Sequence, residues 1–253
     1  MAWSAVISAG VAQTIGGAWP VWLGLTLFAL GLAHGAGDEQ DDKLLPFSLL
    51  HVVAYVIVGL AIAGLFLAAP LYGLTVFFAL SAWHFARSDG QFHLASRLAI
   101  AGLAVGGSAL LRPDETAQVL AFVIGDDMPN LFLRLLALAG LAGLAAAVYA
   151  FVTARRGFGH AIVAFLAAAL LHPVLAVGLV FLTAHAIPVQ ERQVRAYGAA
   201  TVARAVALPT GIALTGAAIL AMAVVGGLLA AQIAAALAFG MATPHMLTER
   251  LER

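Results

Sequence analysis

Apolar runs of bilayer-crossing length recur from one end of this chain to the other. The stretch 94–111, LASRLAIAGLAVGGSALL, carries a single charge, Arg97, and it is one of several such runs. A span needs about 20 mostly apolar residues, and fewer where the helix is tilted or enclosed by others. Of 253 residues, 63% are hydrophobic and 9% charged, far from the balance of a soluble domain. The pattern predicts an all-α, polytopic membrane helix bundle of about seven to nine transmembrane segments. Residues 1–253 then form a single integral-membrane domain. Glycine, proline and short polar breaks place the spans at 18–34, 46–66, 71–87, 94–111, 131–152, 158–171, 174–188, 203–224 and 228–244. Residues 1–17 read as an added interfacial segment, and Pro209 as a break in the eighth span.

The chain has no cysteine, which excludes disulfides, iron–sulfur clusters and thiolate metal sites. Its 12 basic and 12 acidic residues cancel and form no basic run, so nothing points to nucleic acid. The amino-terminal segment carries no charged n-region or cleavage site, and the first span is expected to act as its own targeting signal. Alternating the ends of the predicted spans puts Lys43, Arg87, Arg97, Arg155, Arg156, Arg192, Arg195, Arg204, Arg250 and Arg253 on one side. Only Arg112 and Arg134 fall on the other. Under the positive-inside rule the first side is cytoplasmic, the number of crossings is odd, and the expected location is the inner (plasma) membrane.

This topology sets His34, His84, His185 and His245 near the cytoplasmic ends of the first, third, seventh and ninth spans. Intramembrane histidines are costly, so four at one depth point to a function rather than to four separate helix-end anchors. His172 lies at the opposite turn, about 20 Å from His185 along a straight helix. With Pro173 beside it, His172 reads as a turn residue. His93 and His160 read as solvated helix starts, and His51 sits about a turn and a half inside the second span. The fourth ligand stays open between His245, His172, His51 and water. Neutral imidazoles suit Fe(2+) and leave it open positions for oxygen; zinc accepts the same nitrogens. Metal-bound histidines usually pass their second ring N–H to a carboxylate or carbonyl. Asp38 and Asp89, four and five residues after His34 and His84, are placed either for that or as solvated surface acids. The glycines of HGAGD permit a tight exit from the first span. A transporter fits less well because the polar groups gather on one side. There is also no H-x-x-H, H-x-x-x-H or H-E-x-x-H pattern of the kind two-iron desaturases or zinc hydrolases use.

HGAGD at 34–38, SAWHFARSD at 81–89, LHPVLAVGLVFLTAH at 171–185 and TPHM at 243–246 together resemble the Brp/Blh family of membrane β-carotene 15,15′-dioxygenases, in the family's order. The resemblance implies an iron(II) enzyme that splits the central double bond of β-carotene with O2, giving two molecules of all-trans-retinal for a microbial rhodopsin. It also implies His34, His84 and His185 as iron ligands. Where the family typically carries a further histidine, four residues after His185, this chain has Val189; His245 is the substitute on the same side of the membrane. The partners implied are β-carotene or a similar carotenoid, O2 and the lipid bilayer. Phe77, Phe78, Trp83, Phe85 and Phe181 lie on the ligand-bearing segments and are candidates to line a substrate tunnel, against the plainer reading of helix packing. The alternative function is a metal-binding homologue that does not cleave, acting as a carotenoid or retinal carrier or as a rhodopsin accessory protein.

Overall fold

The computed structural model describes residues 3–33, 35, 49–88 and 90–248, and these contain helices joined by short turns, with no strand among them. In chain order the helices are α1 (Trp3–Ile15), α2 (Trp19–Gly31), α3 (Leu49–Ala68), α4 (Pro70–Ser88), α5 (Leu94–Leu111), α6 (Pro113–Ile124), α7 (Asn130–Val152), α8 (Phe158–Leu170), α9 (Pro173–Val180), a π-helical segment (Phe181–Ala186), α10 (Ile187–Tyr197), α11 (Ala199–Val225) and α12 (Ala231–Thr248). The continuous stretch Pro173–Tyr197, with α5, α7 and α11, is long and apolar enough to cross a membrane. Trp3–Ile15, Trp19–Gly31, Val52–Ala68 and Phe158–Leu170 are shorter apolar helices.

Three local readings change. The stretch after Arg112, expected as a connection, forms α6. Its proline at the first position needs no amide partner, and Asp114 and Glu115 in the first turn suit the positive end of a helix. Pro209 lies inside α11 and does not break it, because one lost hydrogen bond is outweighed by the rest of a 27-residue helix. The seventh expected span, 174–188, continues to Tyr197. Residues expected at an interface form α1, which packs on α2 with Ala5, Ala9 and Ala12 buried.

The chain packs as two compact units. One comprises residues 1–31, 81–121 and 126–189. Without a hydrophobic force between helices in lipid, close association depends on small residues that let backbones touch. Here α5 and α7 cross at Gly102, Gly106, Gly140 and Gly143, where a Cβ on Gly106 would lie 2.0 Å from the Leu136 carbonyl oxygen. α2 and α9 cross in the same way, a Cβ on Gly178 falling 2.2 Å from the carbonyl oxygen of Gly24. Fully buried alanines, among them Ala99, Ala161 and Ala164, fill the core between α5, α8 and α9. The α2–α9 crossing also fixes where the π-helical segment begins, since α9 feeds directly into it.

The second unit comprises residues 32–80, 122–125 and 190–253. α3 packs on α12 where Gly59 meets Gly240, and the Tyr55 hydroxyl donates to the Met241 carbonyl at 2.6 Å. Phe239 stacks on Phe77 at 4.1 Å and meets Phe66 edge-on at 5.3 Å.

Candidate metal centre

His84 and His185 reach one another from α4 and the π-helical segment, inside the first unit. They are 1% and 0% exposed, and their Nε2 atoms are 3.1 Å apart with the ring planes at 73°. Two ring nitrogens at that distance cannot both present bare lone pairs; a shared proton or a shared cation must lie between them. Ligands each about 2.1 Å from one ion, as imidazoles on zinc are, and roughly at right angles to one another would stand about 3.0 Å apart. The pair therefore has the donor chemistry and the spacing of two neighbouring metal ligands.

The widened turn that carries His185 has a local cause. Pro188 has no amide hydrogen, and in a regular helix its ring would collide with the carbonyl of Ala184. The chain avoids this by lengthening the preceding hydrogen bond, so that the Ile187 amide donates to Leu182, five residues back. Such π-turns are rare and often mark functional positions. Periodicity had not revealed it; the sequence signal was the proline three residues after the histidine.

Aromatic rings close around His185. Phe85, next to His84, lies 4.6 Å from the His185 ring, and Phe181 lies 5.9 Å from it on the same turn. Phe181 stacks on Phe28 of α2 at 4.5 Å. Gly31 makes that stack possible, since a Cβ there would fall 2.3 Å from Phe181 Cε1. Of the proposed tunnel residues, Phe181 is thus a buried neighbour of the histidine pair. Trp83 is half-buried beneath the Arg87 guanidinium, 5.7 Å from its ring centre. Phe77 and Phe78 belong to the second unit, half-buried and 5.9 Å apart.

In the second unit, Gly35 lies against the imidazole of His245, a Cβ there being 3.4 Å from the ring Cγ and Cδ2. The HGAGD and TPHM motifs therefore meet. His34, Asp38 and Asp89 lie outside the described residues, as does the side chain of His51. Among the described residues no group of three or more His, Asp or Glu side chains is placed to hold a metal ion.

Three other described histidines lie at helix starts. His93 caps α5, its Nδ1 accepting from the Ala95 amide at 3.2 Å, and the His160 ring packs 4.7 Å from Phe92. His172 caps α9, with Nδ1 accepting from Val174 at 3.4 Å and its own amide donating to Gln13 Oε1 at 2.8 Å. Thirteen residues separate it from His185, about 20 Å of helix. Burial holds its pKa below the ordinary value, with Glu115 pulling it up and Arg112 pushing it down.

At the position of the further family histidine, Val189 is 0% exposed and packed in the unit's interior. No curated protein and no solved structure matches the chain. The family model described as beta-carotene 15,15'-dioxygenase matches residues 25–251, nearly the whole length, and takes in all four histidine motifs. By that match, the chain belongs to the β-carotene 15,15′-dioxygenase family.

Proposed function

We propose that this chain is an iron-dependent membrane enzyme that cleaves β-carotene, or a related carotenoid, at the central 15,15′ double bond with O2 to give retinal. The observation that carries the reading is the buried His84–His185 pair, 3.1 Å apart at Nε2, supplied by two of the family's motifs. His84 and His185 hold two positions on Fe(2+), His34 supplies a third through the HGAGD motif, and His245 replaces the family histidine missing at Val189. Support for His245 comes from the contact of its ring with Gly35, the residue after His34. Asp38 and Asp89 are the carboxylates that would accept the second ring N–H of His34 and His84. When bound, ferrous iron supplies the one-electron chemistry that O2 needs to react with a closed-shell polyene. The protein's share is to fix the imidazoles and keep water away, which Phe85 and Phe181 do around His185.

The substrate is a long hydrocarbon that dissolves in the bilayer, so it enters sideways from lipid along Phe77, Phe78, Trp83 and Phe181. In this reading the chain is one integral-membrane domain, crosses an inner membrane seven to nine times, and holds its metal toward the cytoplasmic side, where its retinal is available to a microbial rhodopsin. Expression in a β-carotene-producing bacterium tests the activity: the cells should lose their orange colour as retinal accumulates. One observation favours a second reading. The buried Val189 cannot bind metal, which fits a carrier that keeps the carotenoid or retinal intact for a rhodopsin. Unchanged colour, with pigment retained by the purified protein, would establish that reading instead.

A further inference from the structure

One end of the first unit gathers arginines from two helices and a turn. The His93 amide donates to the Arg156 carbonyl at 3.0 Å, the Arg97 amide donates to the His93 carbonyl at 3.1 Å, and the Arg97 guanidinium reaches the Arg87 carbonyl at 3.5 Å. These bonds tie the end of α4, the start of α5 and the turn between α7 and α8 into one surface, with Arg155 beside Arg156. Two of the guanidinium groups lie over aromatic rings, Arg87 over Trp83 at 5.7 Å and Arg155 over Tyr149 at 6.0 Å. That is the arrangement of long cationic side chains at the headgroup level of a bilayer.

The four arginines have no counterions among the described residues, Asp89 lying outside them. At the other end of α5, by contrast, Arg112 pairs with Glu115. Arg97 Nε is moreover buried and lacks a hydrogen-bond partner among the described residues, a costly state. Exposed Leu94, Leu98, Phe151 and Val152 flank the charges. A ligand that suits both features carries an anion at one end and hydrocarbon beneath it. We propose that this surface docks the phosphodiester headgroup of an anionic phospholipid, with Arg87, Arg97, Arg155 and Arg156 around the phosphate and the acyl chains along the apolar flank.

The test uses the full chain in mild detergent, with native mass spectrometry to count retained phosphatidylglycerol against phosphatidylcholine of the same acyl chains. The wild type should retain phosphatidylglycerol preferentially, and less so at high salt. Arg155→Gln with Arg156→Gln should lower the preference by about fivefold per arginine, and Arg97→Gln by a similar factor. Replacing Arg155 and Arg156 by lysine should preserve most of it. Arg155 and Arg156 are exposed, so these substitutions spare the fold, and the wild-type comparison decides the matter even without them. Equal retention of the two lipids by the wild type overturns the proposal, as does an unchanged preference in the neutralised variants. Full displacement of phosphatidylglycerol by millimolar inorganic phosphate would show a site for a free anion and overturn it equally.

Discussion

Adding one methyl group at Gly31 should disturb the histidine pair from a distance. A Cβ there would lie 2.3 Å from Phe181 Cε1 and 2.7 Å from Cδ1, whereas carbon atoms in contact stay about 3.5–4.0 Å apart. The Phe181 ring must then retreat by more than about 1 Å. It has little room, being buried, stacked on Phe28 and near both Phe85 and His185. Overpacking of this kind costs about 1–3 kcal/mol. In a chain of this size each kcal/mol corresponds to a fall in Tm of about 2–4 °C. Phe181→Leu alone removes buried volume and should also destabilise, by about 1–3 kcal/mol. Combined with Gly31→Ala it should restore much of the loss, because the new methyl occupies the space the ring has left. Thermal melts of the four proteins in detergent, with cobalt(II) affinity measured on each metal-free form, give the double-mutant cycle. The expected outcome is a coupling of about 1 kcal/mol or more and weaker metal binding in Gly31→Ala that Phe181→Leu partly reverses. Additive effects within about 0.5 kcal/mol, or a silent Gly31→Ala, would refute the packing argument.

Gly178→Ala should be harsher, since its Cβ would meet backbone, the Gly24 carbonyl oxygen, at 2.2 Å, and backbone cannot rotate aside; a loss of about 3 kcal/mol or more, or no folded protein by gel filtration, is expected. His172 should give the protein an acid-sensitive stability. Burial lowers its pKa below 6.5, so between that lowered value and 6.5 the unfolded chain binds more protons. Stability is therefore full above 6.5 and declines as the pH falls through this window. His172→Asn keeps a capping oxygen for Val174 and should flatten that part of the Tm–pH profile, whereas an unchanged profile would count against His172 as its source. Val189→His places an imidazole four residues after His185, and should raise metal retention measured by elemental analysis while costing about 1–3 kcal/mol in the metal-free form; unchanged retention would show that the position does not face the metal.

Much of the architecture could be read from hydropathy because lipid enforces it. α5 has the expected bounds, and α7 differs from expectation by one residue at its start. α6 escaped notice because a 12-residue helix with a polar first turn looks like a loop to a search for spans. α11 passes through Pro209 because helix length, which hydropathy does measure, outweighs one missing hydrogen bond. At the site, His84 and His185 were legible as residues that are costly in lipid, and the structure joins them. The π-turn beneath His185 was not legible from periodicity, since one turn is too short to separate from an ordinary helix, and Pro188 was its sequence signal. Nor was the role of Phe85 beside His185, or of Gly31 beneath Phe181: both depend on tertiary contacts between segments far apart in sequence.

The central claim is that His84 and His185 grip one metal ion. Its most direct test is the iron content of the purified full chain, by elemental analysis, beside His84→Ala, His185→Ala and His172→Ala. We expect the wild type and His172→Ala to hold iron in similar proportion to protein, and each of the other two variants to fall to background. Full iron in His84→Ala and His185→Ala, or its loss in His172→Ala with the other two unaffected, would contradict the account.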